Sequence, residues 1–304
     1  MLILIAFAGI CLGGLAGLLF ATAKGLMGTC RSPAQVKSKC DGTLRVVTLN
    51  LAHGRGLAPN QALVNSDVIS DNVNKTAHYL DSLDADIVGL QEVDKDCNWS
   101  GNLSQARSIA REAGFSHYRM GINNERSGRY QLIYGNAILS RFPIVRFENH
   151  PFSDWKVGGK GFLIADLDMG DRLLSVVVVH LAPVGNWIRK RQVRQLVETL
   201  AGRNHPLIVL GDFNSEAGVG TPVEELCQSL KLKTVNTGAG AEDTFRFLRG
   251  KRIDFIFASE EIEFSNYYVS EAMLSDHRPV VGDVSVKCDT EGSQMQERST
   301  VLHA

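Results

Sequence analysis

The sequence predicts an α/β protein of two packed β-sheets with helices on the outside. Three observations carry that expectation. About ten short apolar stretches rich in Val and Ile recur between residues 44 and 287, each of strand length. About three or four longer stretches place apolar residues near a 3.6-residue period. Several strands follow one another across tight turns, unlike the strict βαβα alternation of one doubly wound sheet.

Taken in order, residues 44–51 (Leu-Arg-Val-Val-Thr-Leu-Asn-Leu) read as a strand. Val68, Ile69, Val73, Ala77, Leu80 and Leu83 then mark a helix over 67–83. Residues 87–90 form a short buried strand running into Gln91-Glu92. A helix over 104–114 ends at Gly114, a residue suited to a helix C-cap. Residues 137–140 and 144–147 flank a turn at Arg141-Phe142-Pro143. Residues 162–167 and 173–181 flank another at Gly170-Asp171. Residues 188–200 form a basic amphipathic helix. Residues 207–210, 253–257, 262–269 and 280–286 are the remaining strands.

The chain has 304 residues, 44% hydrophobic and 21% charged, an ordinary globular composition able to bury a sizeable core. Lys and Arg total 32 against 33 Asp and Glu, so no global basic charge marks a nucleic-acid binder. Residues 1–23 carry no charged side chain, long enough for a transmembrane anchor. Gly9, Gly13 and Gly17 there fall at GxxxG spacing. A cleaved signal peptide ending at Ala21-Thr22-Ala23 is the rival reading. The anchor is preferred, because the apolar run is long and no Lys or Arg precedes it. Lys24, Arg31, Lys37 and Lys39 follow it, which the positive-inside rule reads as a cytoplasmic domain. Export would put the domain outside, and the side stays open. Residues 24–43 read as a linker, 44–288 as the globular domain and 289–304 as a polar tail. Cys30 and Cys40 would close a small loop in an oxidising compartment; reduced thiols are the alternative.

The strand ends share a property. Asn50, Glu92, His180, Asp212 and Asn214 stand where apolar strands stop. Asp254 begins one strand, and Asp276-His277 precede another. Any one of these has a plain turn reading. Together, carboxylates, carboxamides and two imidazoles at one edge suit a metal ion and a phosphate. Glu and Asn oxygens suit Mg²⁺. No CxxC or HExxH is present to support a zinc centre of those types.

Thr48-Leu49-Asn50, Leu90-Gln91-Glu92-Val93, Gly135-Asn136-Ala137-Ile138-Leu139-Ser140-Arg141, His180-Leu181, Gly211-Asp212-Phe213-Asn214, Arg252-Ile253-Asp254-Phe255-Ile256 and Ser275-Asp276-His277-Arg278-Pro279 occur in that order. In this the chain resembles the endonuclease/exonuclease/phosphatase superfamily over residues 44–287. That group includes deoxyribonucleases, abasic-site endonucleases, neutral sphingomyelinases and inositol polyphosphate phosphatases. The resemblance implies a four-layer α/β sandwich, a divalent metal (Mg²⁺, or Mn²⁺ in its place) and phosphoester hydrolysis. It makes Glu92 the main metal ligand, supported by Asn50 and Asp276. It pairs His277 with Asp254 and sets Asp212 and Asn214 beside the attacking water. Which of Asp212 and His277 takes the proton stays open. His180 would bond the phosphate or protonate the leaving oxygen, and Asn136 would contact a phosphate oxygen. A His at position 180 is closer to the deoxyribonuclease and sphingomyelinase branches than to the abasic-site enzymes. His53, three residues past Asn50, is either a substrate reader or a loop residue.

The expected function is metal-dependent hydrolysis of phosphoesters, most of all phosphodiesters. The substrate is a phospholipid or a nucleic acid, and the membrane is a partner through residues 1–23. A membrane-anchored or exported nuclease is the alternative. A binding module that kept only the fold is the other. The basic stretch Trp187-Ile188-Arg189-Lys190-Arg191-Gln192-Val193-Arg194 suits a nucleic-acid backbone, anionic lipid heads or a solvated helix face.

Overall fold

The computed structural model describes residues 42–128, 131–153, 159–235, 242–246 and 251–287. The expected anchor, linker residues 24–41, the Cys30–Cys40 pair and the tail lie outside the described residues. Among the described residues no helix is long and apolar enough to cross a membrane, and Cys97 and Cys227 are free thiols.

The strands are β1 (Leu44–Asn50), β2 (Ile87–Asp94), β3 (His117–Arg126), β4 (Leu132–Ser140), β5 (Ile144–Pro151), β6 (Gly161–Asp168), β7 (Leu173–His180), β8 (Leu207–Asp212), β9 (Asp254–Ala258), β10 (Ile262–Val269) and β11 (Val280–Val286). The helices are α1 (Ser66–Ser82), α2 (Gln105–Glu112), α3 (Asn186–Leu200) and α4 (Pro222–Leu230). One sheet runs β10-β11-β1-β2-β4-β3 and the other β5-β6-β7-β8-β9. Both are mixed: β1/β2 and β7/β8 are parallel, joined through α1 and α3, and the other pairs are antiparallel.

Alternation sorts the side chains into layers. Val46, Ile87, Ile138, Val176, Val178, Ile208 and Leu210 point between the sheets and form the central core. Their neighbours Val47, Val88 and Leu139 point outward under α1 and α2. Val177, Val179 and Val209 do the same under α3 and α4. Strands covered on both faces need apolar residues at every position, so the sequence shows continuous apolar runs there. The sheets touch closely at Gly89, where an added Cβ would meet Leu210 and Val178. The result is the expected four-layer sandwich.

Two elements go beyond the expectation. β3 is a mostly half-exposed edge strand with little apolar signal. α4 is short but well marked: Thr221 accepts from the Glu224 N–H, Pro222 fills the first turn, and Glu224 and Glu225 face the positive helix end. A boundary is also corrected. β2 does not stop at Leu90 but continues to Asp94 across a bulge between Leu90 and Val93. The bulge re-aims Glu92, the use such irregularities serve at sheet edges.

Candidate active site

Three neighbouring strands place a row of polar groups at one edge. The register pairs His180 of β7 with Asp212 of β8, and Asp212 with Asp254 of β9. β1 reaches the row from the other sheet: Asn50 Nδ2 donates to Asp212 Oδ2 at 3.0 Å. The other Asp212 oxygen accepts the Asn214 N–H at 2.8 Å. His180 Nε2 lies 3.3 Å from Asp212 Oδ2, and His277 Nε2 lies 3.8 Å from the same atom. One buried carboxylate therefore sits between two imidazoles.

Each partner is held in turn. His277 Nδ1 bonds Asp254 Oδ2 at 2.9 Å. The Asp254 N–H donates to Thr244 Oγ1, and Phe245 packs on the His277 ring. Ser275 Oγ accepts the His277 N–H at 3.0 Å and donates to the Asn50 carbonyl at 2.6 Å, tying the His277 loop to β1. Lys160, immediately before β6, lies 3.4 Å through Nζ from His180 Nδ1. An ammonium only donates, so Nδ1 accepts and the ring hydrogen sits on Nε2, facing Asp212.

Glu92 lies beside this row among cations. Lys160 Nζ is 2.9 Å from its Oε1, and Arg55 and His53 are 3.8 and 3.6 Å from its Oε2. Arg55 also bonds Asp276 Oδ2 at 2.6 Å, so its guanidinium bridges the two carboxylates. His53 has its own carboxylate, Asp94, at 2.7 Å. Trp99 Nε1 donates to the second Asp94 oxygen. Eight described non-glycine residues have positive φ, and half of them (Ala52, His53, Glu92 and Asn214) lie here. Strain concentrated in this way is characteristic of functional sites.

The electrostatics divide the two imidazoles. Burial would lower His277, but Asp254 and Asp212 outweigh it and push it up to about 10. Burial, with Lys160 beside it, lowers His180 despite Asp212 and Glu92. Burial would raise Asp212, yet His180, His277 and Lys160 bring it down to about 2. Glu92 likewise lies well below its ordinary value: Lys160, His53 and His180 overcome its burial. Burial, reinforced by Asp212, raises Asp254 against the pull of His277. Two imidazoles around one carboxylate thus favour different protonation states, a pattern that separates proton donors from acceptors.

His277 makes a stability prediction. Its folded pKa stands above the ordinary 6.5. The folded state therefore binds this proton more tightly than the unfolded chain. The stabilisation is complete below pH 6.5 and lost as pH rises through about 10. In a chelator, the melting temperature is expected to fall across that window by several degrees more in the wild type than in His277→Gln. Equal pH slopes in thermal melts of the two proteins would contradict the assignment.

A hard divalent cation fits the residues at the Glu92 end. Glu92, Asn50 and Asp276 supply oxygens of the right kind. Asp276 Oδ1 is buried without a partner. A cationic group, the Arg55 guanidinium, already stands between Glu92 and Asp276. The second acidic cluster, Asp212, Asp254 and His277, has ligand atoms within 4.8 Å of one another. Its members are already engaged, His277 with Asp254, and Asp212 with Asn50 and Asn214.

The expected residues Asn50, Glu92, His180, Asp212, Asn214, Asp254, Asp276 and His277 therefore form one network. Asn136 is placed differently. It is buried, and its Nδ2 bonds the Gly161 carbonyl at 2.9 Å across the sheets, leaving its Oδ1 without a partner. Asn214 likewise commits Nδ2 to the Leu181 carbonyl at 3.0 Å. Lys160, Arg55 and Asp94 were not among the expected residues. Lys160 does carry a signal: it stands between glycines in Gly158-Gly159-Lys160-Gly161, at a strand entrance.

No curated protein matches the chain. Solved structures do. An endonuclease/exonuclease/phosphatase from Beutenbergia cavernae is 21% identical, covering 81% of this chain and 72% of its own, with a TM-score of 0.62. A mannosyl-6-phosphatase from Bacteroides thetaiotaomicron is 18% identical over 79% of this chain and 99% of its own, TM-score 0.60. D. rerio TDP2 in complex with a single-strand DNA product is 15% identical over 81% and 100%, TM-score 0.61. At these identities the likeness shows a shared fold. The family model described as the endonuclease/exonuclease/phosphatase family matches residues 47–277, most of the chain, and the protein belongs to that family.

Proposed function

We propose that the protein hydrolyses phosphodiester bonds with a divalent cation, Mg²⁺ or in its place Mn²⁺, held by Glu92, Asn50 and Asp276. The observation that carries this is the Asp212 carboxylate, fixed by Asn50 and Asn214 between the two imidazoles. The cation supplies Lewis-acid polarisation of the phosphoryl oxygens. Asp212 accepts the proton of the attacking water, and the protonated His277, oriented by Asp254, lies beside it and steadies its charge. His180 presents Nε2–H to a phosphoryl oxygen or the leaving oxygen, its tautomer held by Lys160. The fold neighbours support phosphoester chemistry in general, since one is a mannosyl-6-phosphatase and another holds a single-strand DNA product. They leave the substrate open. The uncharged residues 1–23 support membrane association and an amphiphilic, phospholipid-type substrate.

The test is an assay of the full chain on bis(p-nitrophenyl) phosphate, phospholipid vesicles and plasmid DNA. Hydrolysis is expected to vanish in EDTA and return with Mg²⁺. Glu92→Gln is expected to raise the Mg²⁺ needed for half-maximal rate by about 10–100-fold, the scale of a lost metal-site contact. Activity indifferent to EDTA would sink the metal reading, and no hydrolysis of any substrate would favour a binding module.

A further inference from the structure

The mouth of the site is ringed by apolar side chains that the chemistry does not use. Nine large hydrophobic side chains are exposed among the described residues, and seven stand on segments at this edge. Leu57 and Leu63 lie on the loop leaving β1, with Val68 in the first turn of α1. Met273 lies on the loop leading to Asp276. Across the mouth, Val184 and Trp187 follow β7, and Val219 follows β8. Several are far out: Val219 is 96% exposed, Leu63 72% and Trp187 67%. Single exposed apolar residues are ordinary, but a set gathered at one edge marks an interaction surface. Leu57, Leu63, Val68 and Met273 also line a groove of about 480 Å³. Arg55, which bridges Glu92 and Asp276, lines the same groove, so it joins the candidate site.

We propose that this rim docks on a lipid surface, with the Arg55 groove receiving the apolar part of one lipid. Only the second clause rests on the phosphoesterase reading. Four observations favour a bilayer over a nucleic acid. The rim is mainly aliphatic, whereas single-stranded nucleic acids are held on aromatic stacking platforms. Two of the four basic side chains of the stretch on α3 are engaged by the protein itself and so are not free to track phosphates. Arg189 turns back to the Ala182 carbonyl at 3.2 Å, and Arg194 pairs with Glu225. Lys75 lines the groove, where it complements anionic lipid heads. Trp187 is an amphipathic ring suited to the bilayer interface.

The tether permits the orientation. β1 enters at the edge opposite the mouth, and its seven residues span only about 23 Å. The twenty linker residues 24–43 reach up to about 70 Å when extended. A domain anchored through residues 1–23 can therefore turn its mouth to the same membrane.

The experiment uses the full chain and vesicles of phosphatidylcholine and phosphatidylglycerol brominated on the acyl chains. Tryptophan emission is expected to be quenched, with most of the quenching lost in Trp187→Phe and more gained in Val219→Trp. Residue-specific quenching reports the rim even when the N-terminal segment holds the protein on the vesicle. Quenching unchanged in both variants overturns the proposal. So does a Trp187 that responds to a DNA oligonucleotide and not to vesicles. The Leu57→Ser/Leu63→Ser variant is expected to lose about tenfold or more on vesicle-borne phosphodiester, judged by the apolar area lost, while keeping its rate on bis(p-nitrophenyl) phosphate. Equal losses on both substrates would remove the groove from the proposal. Absence of hydrolysis in the wild type with Trp187 still quenched would sink the phosphoesterase reading and leave docking intact.

Discussion

Asp212→Asn is expected to reduce kcat by roughly 10³–10⁴-fold at saturating Mg²⁺, near the top of the range for removing an acid–base group. The size follows from position. Among the described residues Asp212 is the one carboxylate within reach of Asn50, His180 and His277 together, and its second oxygen fixes the Asn214 N–H. An amide can keep one of those acceptor contacts. If its oxygen stays on the Asn214 N–H, its NH₂ faces the Asn50 amide and the His180 Nε2–H, donor against donors. If it flips, the Asn214 contact fails. In either orientation the water loses its acceptor and His277 loses the second of its two carboxylates. Glu92 and Asp276 make no contact with Asp212, and only Asn50 at that end loses a partner, so KM is expected to move less than kcat. Circular dichroism and thermal melts of the variant check the fold. A kcat within tenfold of wild type would move the acceptor role away from Asp212. The His180→Ala/His277→Ala double variant would then test those two as the primary acid–base pair, since groups acting as a unit are non-additive and the double loss should hardly exceed the worse single one.

Much of this site was legible because a strand that is apolar on both faces has no structural need for a carboxylate at its end. β1, β7 and β8 end at Asn50, His180 and Asp212, and each reads directly as an exit residue. The same rule is weaker at strand entrances, where it finds Asp254 and Asp276-His277 but misses Lys160. Antiparallel neighbours present their first residues at the edge where parallel ones present their last. Lys160 opens the edge beside His180 through the Gly161–His180 pairing, yet no strand-length apolar run precedes it to mark an exit. Asp254 stands out both at its strand entrance and in its Arg-Ile-Asp motif. Arg55 and Asp94 were hidden for other reasons. Arg55 acts from an irregular loop, and Asp94 lies beyond a bulge that ends the apolar pattern early. β3 was invisible because an edge strand with one covered face and mixed polarity lacks both periodic signals. Asn136 was legible as a motif but not as a role. Its amide serves the backbone of the opposite sheet.

Lys160→Met is expected to slow turnover by roughly 10²–10³-fold, the loss seen when one positioned charge stabiliser is removed, while lowering the Mg²⁺ concentration needed for half-maximal binding. The opposite signs come from two contacts of one ammonium. At 2.9 Å from Glu92 Oε1 it competes with a cation for that carboxylate. Methionine removes the competitor and leaves Glu92 facing Arg55 and His53 at longer range. At 3.4 Å from His180 Nδ1 the same ammonium holds the ring hydrogen on Nε2. Without it the hydrogen is free to move to Nδ1, and the group facing Asp212 becomes an acceptor beside a carboxylate. Lys160→Gln separates the two effects, because its amide restores a donor to Nδ1 without restoring charge. Its rate is expected to lie between wild type and Lys160→Met, with Mg²⁺ affinity close to that of the methionine variant. Mg²⁺ binding is read by calorimetry on the substrate-free protein, so it does not depend on turnover. A methionine variant that is slower and also binds Mg²⁺ more weakly would make Lys160 a support for the shape of the Glu92 bulge. One that matches the wild type in both would leave it a buried ion-pair partner and nothing more.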